Sequence, residues 1–167
     1  MKGKTSRMVV VLFVAVALLT AFAPVAGVAK GNKTHFEGTS CGVADLDEGT
    51  WTELGNGKWR VVGLQQQYRE ETDDARTTGD NIVTVNMILD LATGSGPMWG
   101  TFNVVNEYGS WSGHFDGRLD NWASSLGATG HGSGAYEGLV ARWIMSRPGP
   151  WACYEMSGYI VETGAGE

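Results

Sequence analysis

The stretch Gly130–Met145 reads GHGSGAYEGLVARWIM. Glycine stands at 130, 132 and 134, and eleven residues, Ala135–Met145, follow with no turn former except Gly138. Glycine takes positive φ without strain, while Val140, Trp143 and Ile144 favour extended backbone. The expectation is a tight glycine bend that feeds one long strand. Upstream, Trp111–Leu119 reads WSGHFDGRL, aromatics alternating with glycine. Strands of that texture suit a sharply curved sheet, where a missing side chain lets the backbone coil.

Working outward, strand-like runs alternate with turn clusters and no helical pattern appears beyond Thr34. The runs are His35–Thr39, Thr50–Leu54, Lys58–Glu70, Ile82–Leu91, Met98–Val105, Trp111–Leu119, Ala135–Met145 and Tyr154–Thr163. Gly55-Asn-Gly57 is a hairpin signal, Thr72–Asn81 a charged loop, and Asp120–Thr129 the longest loop of the second half. Eight antiparallel strands joined mainly by short turns predict an all-β fold, an eight-stranded antiparallel barrel whose closure removes exposed edges. Strand patterning does not separate this from a sandwich. In Trp111–Leu119 the inner face is Trp111, Gly113, Phe115, Gly117 and Leu119. Ala135–Met145 is apolar on both faces, with Tyr136, Val140 and Ile144 opposite Leu139, Ala141 and Trp143. A strand of that kind needs cover outside as well as inside, which predicts a homo-oligomer, dimer or trimer, centred on Val140.

The first residues are set apart from this pattern. Lys2, Lys4 and Arg7 precede the sixteen-residue apolar run Met8–Ala23, and Gly27-Val-Ala29 supplies small residues for cleavage. The expectation is a signal peptide over 1–29, a β domain over 30–167, and a secreted or periplasmic location. A membrane anchor is the alternative, though a span wants about 20 apolar residues. Three of the twelve basic residues fall in this segment and all eighteen acids beyond it, so the remainder carries 9 − 18 = −9. An acidic chain without a Lys/Arg cluster argues against nucleic acid and anionic membrane as partners. Cys41 and Cys153 are the two cysteines, one near each end. In an oxidising compartment they predict one disulfide between the first and last strands, with two free thiols or a metal pair as the alternative.

Gly132-Ser-Gly-x-Tyr136-x-Gly138 resembles the glycine motif of the dirigent and allene oxide cyclase type of barrel. Trp111-Ser-Gly-His-Phe-Asp-Gly117 is similar to the strand before that motif, and the likeness covers Met98 to Ile160. The resemblance implies an eight-stranded calycin-like barrel, often oligomeric, with a central pocket for an apolar small molecule. Some members of that group steer a cyclisation without a cofactor. Their acids and binding residues match no positions here, so no catalytic role is carried over. The Gly-x-Trp triplets Gly49-Thr-Trp51 and Gly109-Ser-Trp111 are too short a pattern to assign a family.

Among possible chemical groups, Glu137 shares by alternation a face with Leu139, Ala141 and Trp143. That makes it the candidate general acid or base, against the reading of a solvated strand-end acid. His114 and Asp116 lie two apart on a polar face and read as solvent-exposed. Asp45-x-Asp47-x-Gly49 hints at a calcium loop, but Asn56 stands where a bidentate Glu is required. No nucleophile elbow, zinc-binding His-Glu-x-x-His pair or phosphate loop is present, and no cofactor or metal is expected. The leading functional expectation is binding of a small apolar molecule. Its pocket is lined by Trp99 or Phe102, together with Trp111, Phe115 and Trp143. The alternatives are a cofactor-free cyclase or isomerase using Glu137, and a carbohydrate-binding module using several of the seven tryptophans.

Overall fold

The computed structural model describes residues 32–163; the expected signal peptide, 1–29, lies outside the described residues. The described chain is all-β. Its nine strands are β1 (Thr34–Asp47), β2 (Thr50–Gly55), β3 (Lys58–Thr72), β4 (Gly79–Asp90), β5 (Gly96–Val105), β6 (Gly109–Asp120), β7 (Ala123–Gly134), β8 (Leu139–Arg147) and β9 (Tyr154–Glu162). All pairings are antiparallel, in the order β1-β9-β8-β7-β6-β5-β4-β3-β2. A further pairing, β1 with β3, closes the sheet into a ring. Among the described residues no helix is long and apolar enough to cross a membrane.

β2 continues β1 along the same edge of β3. Residues 38–47 of β1 pair with Thr72 back to Gln65, and 50–55 of β2 pair with Val62 back to Lys58. Between the two runs the backbone bends at Gly49 (φ 68°) and Gly63 (φ 77°), both in the left-handed region that glycine tolerates. The Gly63 N–H leaves the ladder and donates to Asn86 Oδ1 at 3.1 Å. This is a β-bulge, and it shifts the phase of β3. Val61 points inward before it; Tyr68 and Glu70 point inward after it.

β7 corrects the expectation of a loop over 120–129 and a glycine bend over 130–134. Asn121 (φ 50°) and Trp122 (φ 67°) form a two-residue hairpin turn, and Asp120 pairs with Ala123. A tryptophan adopts that backbone here because tertiary contacts hold it: its N–H donates to Gly94 O at 2.9 Å and its ring lies against Gly94. β7 contains neither an aromatic nor Val or Ile, and its extension comes from its neighbours. It pairs along its length with β6 and, over residues 124–131, with β8. The turn before β8 is therefore Ala135–Gly138, not Gly130–Gly134.

Inside the ring, aromatic rings lie on glycines of neighbouring strands. Gly100 faces Phe115, its cross-strand partner, and a Cβ at position 100 would come within 2.8 Å of that ring. Gly158 faces both Phe36 and Trp143, and Gly130 lies beneath the tips of Phe102 and Trp143. Each ring thus covers backbone that has no side chain of its own. At the end where β3 meets β4, Trp111 stacks on Tyr136, centroids 5.2 Å apart. The Trp111 Nε1–H donates to Arg76 O at 2.7 Å, and Asn106 Nδ2 donates to the carbonyls of Ala75, Arg76 and Thr78. Asn106 Oδ1 accepts from the Tyr136 hydroxyl at 2.8 Å, so the loop 73–78 is tied down over the core. Tyr136 and Val140 are buried, which leaves Ile144, 67% exposed, as the one open member of the expected outer stripe. Tyr136 belongs to the turn and not to the strand, so the stripe expected along β8 reduces to Val140 and Ile144 on its outer face.

Cys41 and Cys153 form the expected disulfide, 112 residues apart in sequence, tying β1 to the segment entering β9. Cross-linking a loop of that length restricts the unfolded chain by about 4–5 kcal/mol at most. Replacing both cysteines by alanine is expected to lower the free energy of denaturant unfolding by roughly 2–5 kcal/mol. Unchanged unfolding in the double variant would show that this link carries no stability.

Candidate functional site inside the closed sheet

An interior cavity of about 90 Å³ lies within the ring. Phe102, Phe115 and Trp143 line it, together with Leu126, Ala128 and three methionines, Met87, Met98 and Met145. An apolar cavity of about 150 Å³ takes benzene, so this one at rest holds a fragment of fewer heavy atoms. Methionine has flexible torsions and a polarisable sulfur, so three of them form a wall that yields to a larger guest.

One end of the lining is polar and deeply buried. Ser40 of β1 and Asn81 of β4 line the cavity and flank Glu70 of β3, which is 1% exposed. The Ser40 hydroxyl donates to Glu70 Oε1 at 3.1 Å, and Asn81 Nδ2 donates to the same oxygen at 2.6 Å. Glu70 Oε2 and Asn81 Oδ1 have no hydrogen-bond partner. Burial pushes the Glu70 carboxyl up from 4.5 to about 7, against the opposing pull of its bonds from Asn81 and Ser40. A carboxyl poised there exchanges a proton near neutrality or accepts from a donor that enters the cavity.

The other end opens beside the disulfide. Gln66, Tyr68 and Arg147 line both the cavity and a surface depression bordered by Cys41 and Cys153. Tyr68 donates to Gln66 Oε1 at 3.1 Å, and Gln66 Nε2 donates to Asp45 Oδ1 at 2.7 Å. Burial, then the neighbouring Tyr154, pushes the Tyr68 phenol up to about 12. Arg147 lies over the Tyr154 ring, 4.6 Å from its centroid, and donates through Nη1 to Pro150 O. The mouth is thus a cluster of phenol, amide and guanidinium around an apolar interior.

Of the residues expected to line a pocket, Phe102, Phe115 and Trp143 do so. Trp99 is on the outer face of β5, since Met98, Gly100, Phe102 and Val104 take the inward positions. Trp111 is buried, but in the stack against Tyr136 and away from the cavity lining. Glu137 is exposed in the turn before β8, where the strand alternation that grouped it with Leu139 does not apply. His114 and Asp116 are exposed on the outer face of β6. Trp51, Trp99, Trp122 and Trp151 are exposed on four separate elements, and Trp51 meets Trp59 edge-on at 62°. That arrangement supplies no flat stacking platform at Trp51.

Glu70 went unread because unbroken alternation from Val61 places Arg69, not Glu70, inside. Gly63 in mid-strand was the available signal, since an isolated glycine in a strand pattern marks a bulge.

The Glu70 carboxyl makes folding pH-dependent, and the sign is fixed by its direction of shift. A raised folded-state value means that the native protein holds the proton more tightly than the unfolded chain. Its contribution is full below about 4.5 and is lost as pH rises through about 7, amounting to about 3 kcal/mol. Glu70→Gln keeps the shape and removes the titration. The difference in unfolding free energy between variant and wild type is expected to grow in the variant's favour from pH ~5 to pH ~8. Parallel pH profiles for the two proteins would show that Glu70 titrates normally.

No protein-family model matches the chain, and no curated protein matches it.

Proposed function

We propose that this protein is an exported binder of a small, largely apolar molecule, held within a calycin-like barrel of eight strands. β1 and β3–β9 form the ring, with β2 an extension of β1 outside it; that ring order supports the barrel reading. The observation that carries the function is the cavity itself. A core of this size ordinarily packs to crystal density, yet here apolar side chains surround a space that meets the surface at Gln66, Tyr68 and Arg147. The disulfide supports export, since such bonds persist in oxidising compartments. A second reading, a cofactor-free isomerase, is favoured by one observation, the buried carboxyl of Glu70 beside the cavity. In that reading Glu70, not Glu137, is the acid or base.

Xenon is small enough for the resting cavity and reports its surroundings by chemical shift. Wild-type protein is expected to bind xenon in the interior, with shifts at the methyl groups of Met87, Met98, Leu126 and Met145. Ala128→Leu fills the cavity without touching its polar end and is expected to weaken that binding by about tenfold or more. Ala128→Val is the smaller substitution for use if leucine overpacks the core. Equal xenon binding in wild type and in a folded Ala128 variant, or none in wild type, would overturn the proposal.

A further inference from the structure

Three buried side-chain atoms among the described residues lack a hydrogen-bond partner: Glu70 Oε2, Asn81 Oδ1 and Arg147 Nε. Asn81 and Arg147 line the interior cavity, and Glu70 is bonded to Asn81 and Ser40 behind its wall. Unpaired buried polar atoms are few in folded proteins, and each is destabilising. Their collection around one cavity, with acceptors at one end and a donor at the other, is the pattern of a site whose partner is a ligand.

The sheet register places the two ends. Glu70 faces Ser40 across the β1–β3 pair, and Ser40 faces Tyr154 across the β1–β9 pair. Arg147 lies over Tyr154 and faces Ser124, whose hydroxyl donates to the Tyr154 hydroxyl. A single polar row therefore crosses β3, β1, β9, β8 and β7 on the inside of the ring. Glu70 and Arg147 stand three strands apart, about 14 Å around the wall, before two long side chains reach inward. Ser40 and Tyr154 stand between them along that row, and the remainder of the lining is mostly apolar, with Trp143, Phe115 and the methionines.

We propose that the cavity takes a two-ended small molecule: an apolar body with an ammonium donor for Glu70 and Asn81, and a carboxylate for Arg147. This rests on the binding reading above and narrows it to ω-amino carboxylates. An ammonium offers several N–H donors, enough for Glu70 Oε2 and Asn81 Oδ1 together, and brings the positive charge that this carboxylate lacks. Among the described residues the ion pairs are Arg69–Asp80 and Arg76–Asp74, so Glu70 has no cation of its own. At the mouth, the planar guanidinium of Arg147 holds a carboxylate through Nε and a second N–H. The other titratable groups on the cavity are Tyr68 and Tyr154, which stand beside Arg147.

Calorimetry on the intact protein at pH ~8 tests this with δ-aminovalerate, γ-aminobutyrate and the single-ended analogues valerate and butylamine. At least one of the two-ended compounds is expected to bind about tenfold or more tighter than either analogue. Glu70→Gln should remove that advantage while leaving valerate unaffected, and Arg147→Met should remove it while leaving butylamine unaffected. Arg147→Lys, which keeps the charge, serves if the methionine variant does not fold, and is expected to retain part of the advantage. Two-ended compounds binding no tighter than the analogues, or failing to bind while xenon enters, would overturn this inference and leave the cavity reading standing. Failure of both xenon and every organic probe would overturn the two together.

Discussion

The paired bend at Gly49 and Gly63 is the constraint on which the interior depends. β1 and β2 run along one edge of β3, and the bend lets the first part stay in the ring while the second leaves it. At the same point the bulge changes which residues of β3 face inward. Without it, Arg69 would enter the core and Glu70 would lie outside among exposed charges. With it, Gln66, Tyr68 and Glu70 become the polar side of an apolar space. Asn86 stabilises the bulge by accepting the Gly63 N–H that the ladder gives up. A backbone irregularity of one residue thus decides the chemistry of the cavity.

The rest of the core is arranged by contacts between rings and backbone. Phe36, Phe102, Phe115 and Trp143 lie over Gly158, Gly130 and Gly100, so large side chains are accommodated by strands that carry none opposite them. Small residues at Ser124, Ala128 and Gly130 of β7 leave room on one wall, and the rings do not fill all of it. At the far end, the stack of Trp111 on Tyr136 and the bonds made by Asn106 hold the loop 73–78 in place. The cavity consequently opens at the disulfide end, where Tyr68, Tyr154 and Arg147 gather. Rigid closure at one end and adaptable methionines in the wall suit a site that admits a guest without remodelling the sheet.

Much of this was legible in the sequence wherever alternation was uninterrupted. β4 and β6 follow their hydrophobic pattern, Phe115 falls inside as expected, and the two cysteines pair. β7 was not legible, because Ser, Ala and Gly have loop-like preferences and are extended here by the strands on either side. Glu137 was misplaced for a related reason. The position of the turn before β8 is set by Tyr136 packing on Trp111, a contact between residues 25 positions apart that local pattern does not encode. Trp99 and Phe102 were separable only once the neighbouring strands assigned an inward face to β5. Glu70 was hidden by a phase shift whose visible sign was a single glycine.

The carboxyl of Glu70 offers the most direct test, because its environment follows from the bulge, the closure of the ring and the apolar interior together. Carbon-13 labelling of glutamate side chains and assignment of the Glu70 resonance allow its titration to be read alone. A midpoint near neutrality, about 7, is the result this account predicts. A midpoint in the ordinary carboxylate range, about 4.3, would place Glu70 in water and contradict the polar interior described for the cavity.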